Sequence, residues 1–327
     1  MVPDGERWGQ CIANRAFKTR VIDLVLLRLP ALLLAGHPKR RLIVDYREPV
    51  EYQFCPAAGA VRREAIPELP PMGEADLKFT RHASRHGKLV VDSIDGDSVP
   101  IALLHCEQEL RRATPPPLIA VLRLELRLPG EPSAASKRKV GERPQGGGRT
   151  YEYVNIHALY TGLKDTVAQS TGRIRVPTHA GHEMAMLVAL IALTGTDFSR
   201  NLPQMSGRTV YGWLPDVWPA LALAYDPGAG RLQEGPGGDL VALLYRTKFP
   251  KHARARALEA VLAELQASAI SARVKETLPC RGRVACTIRN ANWVLAYWTC
   301  EPAPDPIQPA YGFRLLAGGS PGYDDGP

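Results

Sequence analysis

A strongly apolar segment near the middle of the chain, HEMAMLVALIALTGTDFS at residues 182–199, limits the folds that this sequence can adopt. A helix formed by such a run is apolar on every side, so other elements must bury it. Gly195 favours the end of the helix, because glycine is common just past the last turn. The segment therefore predicts a core helix that presents Asp197 after its last turn.

Two apolar runs predict strands, RRLIVDY at residues 40–46 and GKLVVDSID at residues 87–95. Between them, EADLKFTRHASRHG predicts a helix that ends at Gly87. The order strand, helix, strand is typical of a parallel sheet, where the carboxyl ends of the strands converge at one edge. We therefore predict an α/β fold in which several acids face one crevice. These acids are Asp45, Glu74, Asp76, Asp92, Asp95 and Asp97.

The other segments divide by composition. Residues 21–36 predict a buried helix, since Asp23, Arg28 and Pro30 interrupt the run and it is too short to cross a bilayer. Residues 128–150 are rich in Pro, Gly, Ser and basic residues, which is typical of a mobile insertion.

The C-terminal half is predicted to be mainly helical. Residues 151–169 predict a helix, and residues 201–218 predict a loop followed by a short helix. Residues 251–270 predict a basic amphipathic helix, and the aromatic residues of NANWVLAYW (290–298) predict core positions. The apolar face of the basic helix consists of Leu258, Val261, Leu262 and Leu265.

The charge of the chain and its cysteine content indicate the kind of partner and the cellular compartment. The chain has 41 Lys and Arg against 33 Asp and Glu, a net charge of +8, which favours a polyanionic partner such as nucleic acid. Lys251, Arg254 and Arg256 are candidates for phosphate contacts, although a solvated helix face is the simpler interpretation. Six cysteines without a CxxC pair indicate an intracellular setting, nuclear in a eukaryote, and no membrane partner is expected.

Crowded carboxylates repel one another, so in a folded crevice they must share protons or bind cations. Mg²⁺ and Mn²⁺ prefer oxygen ligands, and four or five carboxylates can hold two such ions. Two metals about 3.5–4 Å apart stabilise both the attacking and the leaving oxygen in phosphodiester hydrolysis. Each acid alone has a plainer interpretation: Glu74 and Asp76 suit a helix N-terminus, and Asp92 suits the end of a strand.

Four motifs occur in an order that resembles one family. Glu74-Ala-Asp76 begins a predicted helix, Asp95-Gly-Asp97 follows a predicted strand, and TGTDFSRNLP contains Asp197. The strand LIVDY ends at Asp45 and precedes Arg47-Glu-Pro49. Over residues 40–215 this arrangement resembles the flap endonuclease/XPG-type structure-specific nucleases.

The resemblance implies a PIN-like parallel sheet flanked by helices, two divalent metals, and cleavage of DNA near single-strand/double-strand junctions. It implies that six acids are both catalytic and metal-binding: Asp45, Glu74, Asp76, Asp95, Asp97 and Asp197. After the last of these, the family has a helix-two-turn-helix that grips duplex DNA. NLPQMSGRTVYGWL occupies that place, with Gly207 and Arg208 as the nearest equivalents, and Arg62 and Arg63 are the basic pair beside the crevice.

The resemblance also implies a division of the chain. Residues 1–127 would form the first part of the core, 128–150 the insertion, 151–220 the second part of the core, and 221–327 a helical extension.

The chain also departs from the family pattern. The family has a further aspartate on its first strand, for which Asp23 is the nearest substitute here, and the stretch between Asp45 and Glu74 is short and Pro-rich. These departures favour an alternative, an inactive nuclease-fold protein that binds nucleic acid or acts as a scaffold. A third interpretation is a phosphatase of the haloacid-dehalogenase type, because Asp95-Gly-Asp97-Ser-Val resembles its nucleophile motif.

Overall fold

The computed structural model describes residues 14–37, 39–45, 49–66, 75–86, 88–91, 97–112, 118–124, 152–171, 179–196, 199, 201–299, 309–315 and 321–323. The chain is a mixed α/β protein and divides into two units, residues 1–78 and 79–327. The insertion predicted at 128–150 lies outside the described residues.

The first unit consists of a helix and an antiparallel meander. Helix α1 (Arg15–Ala35) begins after Asn14, whose side chain accepts a hydrogen bond from the Phe17 amide at 3.1 Å. Strands β1 (Arg41–Asp45), β2 (Pro49–Cys55) and β3 (Ala60–Ala65) follow, and each pairs antiparallel with the next. Leu34, Val50 and Ile66 form the buried core of this unit.

The prediction of a helix at residues 21–36 is confirmed, but the prediction that it is buried is wrong. Leu24, Leu27 and Leu32 are 65%, 77% and 72% exposed. A three-stranded sheet can cover only one side of a helix, and Leu34 lies on the covered side. Among the described residues no helix has the length and apolar character needed to span a membrane.

Helix α2 (Ala75–His86) spans the boundary between the units and buries Leu77, Thr80 and Ala83 on one face. The second unit then forms strand β4 (Lys88–Val91), helix α3 (Ser98–Arg111), and strands β5 (Leu118–Leu124) and β6 (Glu152–Asn155). Strand β4 pairs parallel with β5, and β5 pairs antiparallel with β6.

This pairing corrects the predicted sheet. Strands β1 and β4 are not parallel neighbours: β1 pairs antiparallel with β2, which lies in a stretch that the sequence did not identify as a strand. The parallel crossover instead runs from β4 through α3 to β5, one element later than predicted. Among the described strands, β4 and β5 form the parallel pair, and a PIN-like parallel sheet is not seen in this part of the chain.

The rest of the second unit is mainly helical. Helices α4 (Ile156–Thr171), α5 (Glu183–Thr194), α6 (Gly207–Tyr211) and α7 (Leu214–Ala224) lead to a hairpin of β7 (Tyr225–Asp226) and β8 (Arg231–Leu232). Helices α8 (Glu234–Lys248), α9 (Leu258–Ala267), α10 (Ala272–Thr277) and α11 (Arg281–Trp298) follow. A 3-10 turn (Pro309–Tyr311) and the strands β9 (Phe313–Leu315) and β10 (Pro321–Tyr323) end the described chain.

Several local predictions here are confirmed or adjusted. The apolar face predicted for residues 251–270 is buried in α9, although the helix begins only at Leu258. Trp293 and Trp298 are buried in α11 as predicted. The helix predicted at 151–169 begins at Ile156, because the preceding residues form β6.

Helix α5 is the centre of the second unit. Ten of its twelve residues are buried, and it packs against α3 and α11. Its first amide groups lie in this core and need an acceptor, since the first turn of a helix has no internal partner. Glu107, a fully buried residue of α3, accepts hydrogen bonds from the amides of Met184 at 2.7 Å and Ala185 at 3.0 Å.

Glu107 is therefore a buried carboxyl group with an unusual titration. Burial raises its pKa to about 7, although the two amide hydrogen bonds and Arg111 oppose the shift. A carboxyl pKa that is higher in the folded state contributes stability at low pH, and this contribution is lost as the pH rises toward 7.

We expect wild-type protein to lose about 2–3 kcal/mol of unfolding free energy, through this group alone, between pH 5 and pH 8. The Glu107→Gln variant should have a flatter profile, because its side chain does not ionise. Urea denaturation across this pH range measures the difference. Glu276→Gln on the exposed side of α10 is the control and should retain the wild-type profile. Parallel profiles for wild type and Glu107→Gln would contradict the assignment.

Candidate functional site

Asp97 lies immediately before α3 and lines a cavity of about 340 Å³ in the second unit. The wall opposite is formed by α5, and the rim by α6. Apart from Asp97, the cavity is lined by Pro100, Leu187, Leu190, Ile191, Thr194, Gly207, Arg208, Val210 and Tyr211. Three of the predicted site residues, Asp97, Gly207 and Arg208, thus share one cavity.

The last turn of α5 brings the cavity close to the segment that contains Asp197. Thr194 lines the cavity and lies three residues before Asp197 in the sequence. Asp197 itself lies outside the described residues, whereas Thr196, Ser199 and Leu202 are described. The contacts of these three residues attach them to the end of α5.

Ser199 attaches the turn after α5 to the helix. Its buried hydroxyl donates a hydrogen bond to the carbonyl of Ala192 at 2.7 Å and accepts one from the amide of Thr196 at 3.2 Å. The amide of Leu202 donates to the carbonyl of Leu193 at 3.2 Å. Ser199 and Leu202 therefore bind two of the carbonyl groups that α5 leaves without internal partners.

Gly195 makes this turn possible. Its φ is +113°, in the region that side chains disfavour, and an added Cβ would lie 2.0 Å from Oδ1 of Asn201. The position therefore requires glycine for its backbone conformation, whereas the exposed Asn201 side chain can move away from an added methyl group.

Helix α6 begins beside the end of α5. Ser206 accepts a hydrogen bond from the amide of Thr209 at 3.3 Å, which fixes the start of the helix. A Cβ on Gly207 would lie 3.6 Å from Oγ1 of Thr194, so the two helix ends are close neighbours. The side chain of the next residue, Arg208, is exposed at the cavity rim.

The remaining predicted site residues are distributed differently. Asp45 ends β1 in the first unit, and Asp76 lies in the first turn of α2. Arg62 and Arg63 lie on the exposed strand β3, where Arg62 forms an ion pair with Glu64. Glu74, Asp92, Asp95 and Asp197 lie outside the described residues. Asp23 lies on α1, so it does not provide the strand-end aspartate of the family pattern.

The described residues that line the cavity are mostly apolar, and one carboxylate among them does not form a metal site by itself. Asp97 is the carboxylate among its described lining residues, which include neither histidine nor cysteine. Carboxylate oxygen is the ligand that Mg²⁺ and Mn²⁺ prefer. Within the described part of the chain, no three His, Cys, Asp or Glu side chains are grouped in a way that could hold a metal.

Two described cysteines near the C-terminus have structural contacts. The Cys280 sulfur accepts a hydrogen bond from the amide of Arg283 at the start of α11, and the buried Cys286 thiol donates to the carbonyl of Gly312.

Sequence reasoning missed the polar cluster at the other end of α5. Glu107 is accompanied there by Tyr160, Tyr225 and His182, and His182 Nδ1 lies 3.1 Å from a guanidinium nitrogen of Arg111. Nothing in the segment LLHCEQELR distinguishes the buried Glu107 from an ordinary exposed glutamate. Its role becomes visible only when α3 and α5 are packed together.

Comparisons with protein-family models, curated proteins and solved structures found no match to this chain. The protein is therefore described by its own fold and cavity: it is a mixed α/β protein with an acid-containing cavity lined by residues of α3, α5 and α6.

We expect Gly195→Ala to lower the free energy of unfolding by about 1–3 kcal/mol, because alanine is strained at a φ of +113°. Thermal and urea denaturation measure the loss. Gly162→Ala is the matched control: no atom lies within 4 Å of the added Cβ, and alanine favours the helix. Equal effects of the two substitutions would contradict the account of this turn.

Proposed function

We propose that the protein is a divalent-metal-dependent, structure-specific DNA endonuclease of the flap endonuclease/XPG type. One observation supports the proposal most strongly: Asp97 shares a cavity with the end of α5 and the start of α6. Asp97 is the last residue of the Asp95-Gly-Asp97 motif, and the Asp197 motif begins at the end of α5. The start of α6 lies in the predicted duplex-binding segment. Asp97 and Thr194, which are 97 residues apart in the sequence, thus line one cavity.

The proposal gives the acids a common purpose. In the sequence, Asp95 and Asp97 precede α3 and Asp197 follows α5. We propose that these three residues hold the Mg²⁺ or Mn²⁺ ions. Asp45, Glu74 and Asp76 belong to the first unit and remain sequence-based candidates for metal binding. Such ions, when bound, supply Lewis acidity toward the oxygens of a phosphodiester.

The protein side chains have separate tasks in this proposal. Asp97 is the residue that precedes α3, and hydrogen bonds to α5 hold Ser199 and Leu202, which follow Asp197 in the sequence. The apolar side chains of α5 limit the access of water to this side of the carboxylates, which strengthens their interaction with a cation. Arg208 at the rim is placed to bind a phosphate group.

The finer features of the family are part of the same proposal. The parallel crossover from β4 through α3 to β5 is the element that a PIN-like sheet would extend. The segment from α6 to α7 would act as the helix-two-turn-helix, with Gly207 and Arg208 against duplex DNA. Arg62 and Arg63 would steer the scissile phosphate, and the enzyme would act where cellular DNA is found, in the nucleus of a eukaryote.

A second function is favoured by the charge distribution. Residues 231–299 contain eleven Lys and Arg but five Asp and Glu, and they include none of the proposed catalytic acids. An inactive nuclease-fold protein that binds nucleic acid would need this basic region without the carboxylates. The two functions differ in whether bound DNA is cut.

The test uses labelled 5′-flap, bubble and single-stranded DNA with Mg²⁺, Mn²⁺ or EDTA. We expect wild-type protein to cut at the junction only with a divalent cation. Asp97→Asn and Asp197→Asn should each lower kcat by at least about 100-fold, since each removes a charged ligand and with it several kcal/mol of transition-state stabilisation.

The control for these variants is Asp165→Asn, which removes an exposed carboxylate from α4 and should retain wild-type cutting. Cutting that persists in EDTA, or that survives both site substitutions, would contradict the nuclease proposal. Binding of these DNAs with no cutting in either metal would establish the second function instead.

A further inference from the structure

The connection between α8 and α9, residues 249–257 with the sequence FPKHARARA, is called here the basic loop. Its backbone is held at two points. The amides of His252 and Ala253 donate to the carbonyl of Phe249 at 2.9 and 3.0 Å, and Ala253 is buried. These hydrogen bonds close a turn within the first half of the loop, and the amide of Phe249, which donates to the carbonyl of Tyr245 at 2.9 Å, joins that turn to α8.

The second half of the loop is attached to α9. Oε2 of Glu264 accepts hydrogen bonds from the amides of Arg254 at 2.6 Å and Ala255 at 2.9 Å. These two hydrogen bonds lower the pKa of Glu264, so the carboxylate that shapes the loop is ionised at neutral pH. A single side chain thus fixes the part of the loop that contains the arginines.

The side chains of the loop point to a charged partner. Lys251, Arg254 and Arg256 are exposed, and Lys248 lies just before the loop. In the described part of the chain, Lys251 and Arg256 have no carboxylate partner, whereas the neighbouring Arg281 and Arg289 pair with Glu259 and Glu234. Lys251 and Arg256 are thus available for an external anion, whereas the charge of Arg254 lies close to the carboxylate of Glu264.

The contents of the loop favour a phosphate backbone over unpaired bases. Single-stranded nucleic acid is usually bound by aromatic rings on which bases stack. The exposed residues of the basic loop are Pro250, Lys251, Arg254, Arg256 and Ala257, while the rings of Phe249 and His252 are partly buried. Phosphate contacts by Lys and Arg position a duplex without reading its sequence.

We propose that the basic loop binds the sugar–phosphate backbone of duplex DNA through Lys251, Arg254 and Arg256. The choice of DNA as the polyanion rests on the proposed nuclease function. The binding surface itself is separate from the cavity, because it does not include the carboxylate of Asp97. The loop would hold the double-stranded part of a branched substrate.

The test measures binding of a fluorescein-labelled DNA duplex by fluorescence anisotropy, without divalent cations so that no cutting occurs. We expect Lys251→Gln/Arg254→Gln/Arg256→Gln to weaken binding at least about 10-fold near 0.1 M salt. The slope of log K against log salt should fall by about 2.7, because each lost phosphate contact contributes about 0.9.

The matched control is Arg231→Gln/Arg273→Gln/Lys275→Gln, which removes the same charge from β8 and α10. It should change the slope much less, since a general field effect is weaker than direct contact. Circular dichroism and thermal unfolding check that both variants fold. If the loop variant does not fold, Arg256→Glu alone replaces it and should lower the slope by about 0.9.

The outcomes separate this inference from the nuclease proposal. Equal weakening by the two triple variants, or loop-dependent binding to anionic lipid vesicles in place of DNA, would overturn the inference. Loop-dependent DNA binding without cutting would support the inference and overturn the nuclease proposal. Asp97-dependent cutting, together with unchanged DNA binding by the loop variant, would support the nuclease proposal and overturn the inference.

Discussion

Helix α5 is apolar around its whole circumference, and its burial is the constraint on which the second unit depends. A helix enclosed in this way needs partners for the polar groups at both ends. Glu107 supplies the acceptor at the first turn, and the turn containing Ser199 supplies donors at the last turn. The two ends of α5 are therefore fixed, and Asp97 and α6 are arranged beside the second of them.

The sequence predicts the elements of this protein better than their pairing. Helix α5 follows from its continuous apolar run, the buried face of α9 follows from its periodicity, and the two predicted strands form where expected. Strands β2 and β3 were missed because PVEYQFC and AVRREA mix charged and apolar residues without clear alternation. The partner of β1 could not be predicted, since pairing is decided by contacts between residues distant in the sequence. The exposure of α1 also depends on contacts that the sequence does not reveal. The helix has more apolar residues than one small sheet can cover, so several of them stay exposed.

In the candidate site, too, the sequence predicts some residues and misses others. Asp97, Gly207 and Arg208 were selected from motifs, and they line one cavity. Glu107 has no motif, yet it holds the helix that forms the cavity wall. The basic loop was expected to be the start of a helix, but Glu264 holds it as a separate connection. In the account proposed here, carboxylates and cations have separate places: the former hold metal at the end of α5, and the latter hold DNA between α8 and α9.

The central claim is that the carboxylates around Asp97 form a cation site, and a crystal structure with Mn²⁺ tests it most directly. Anomalous scattering locates Mn²⁺ independently of any activity. The account predicts an anomalous peak at coordination distance from Asp97, with a second carboxylate ligand from Asp95 or Asp197. An ordered Asp97 without Mn²⁺ beside it, and with the other two carboxylates directed away from it, would contradict the account.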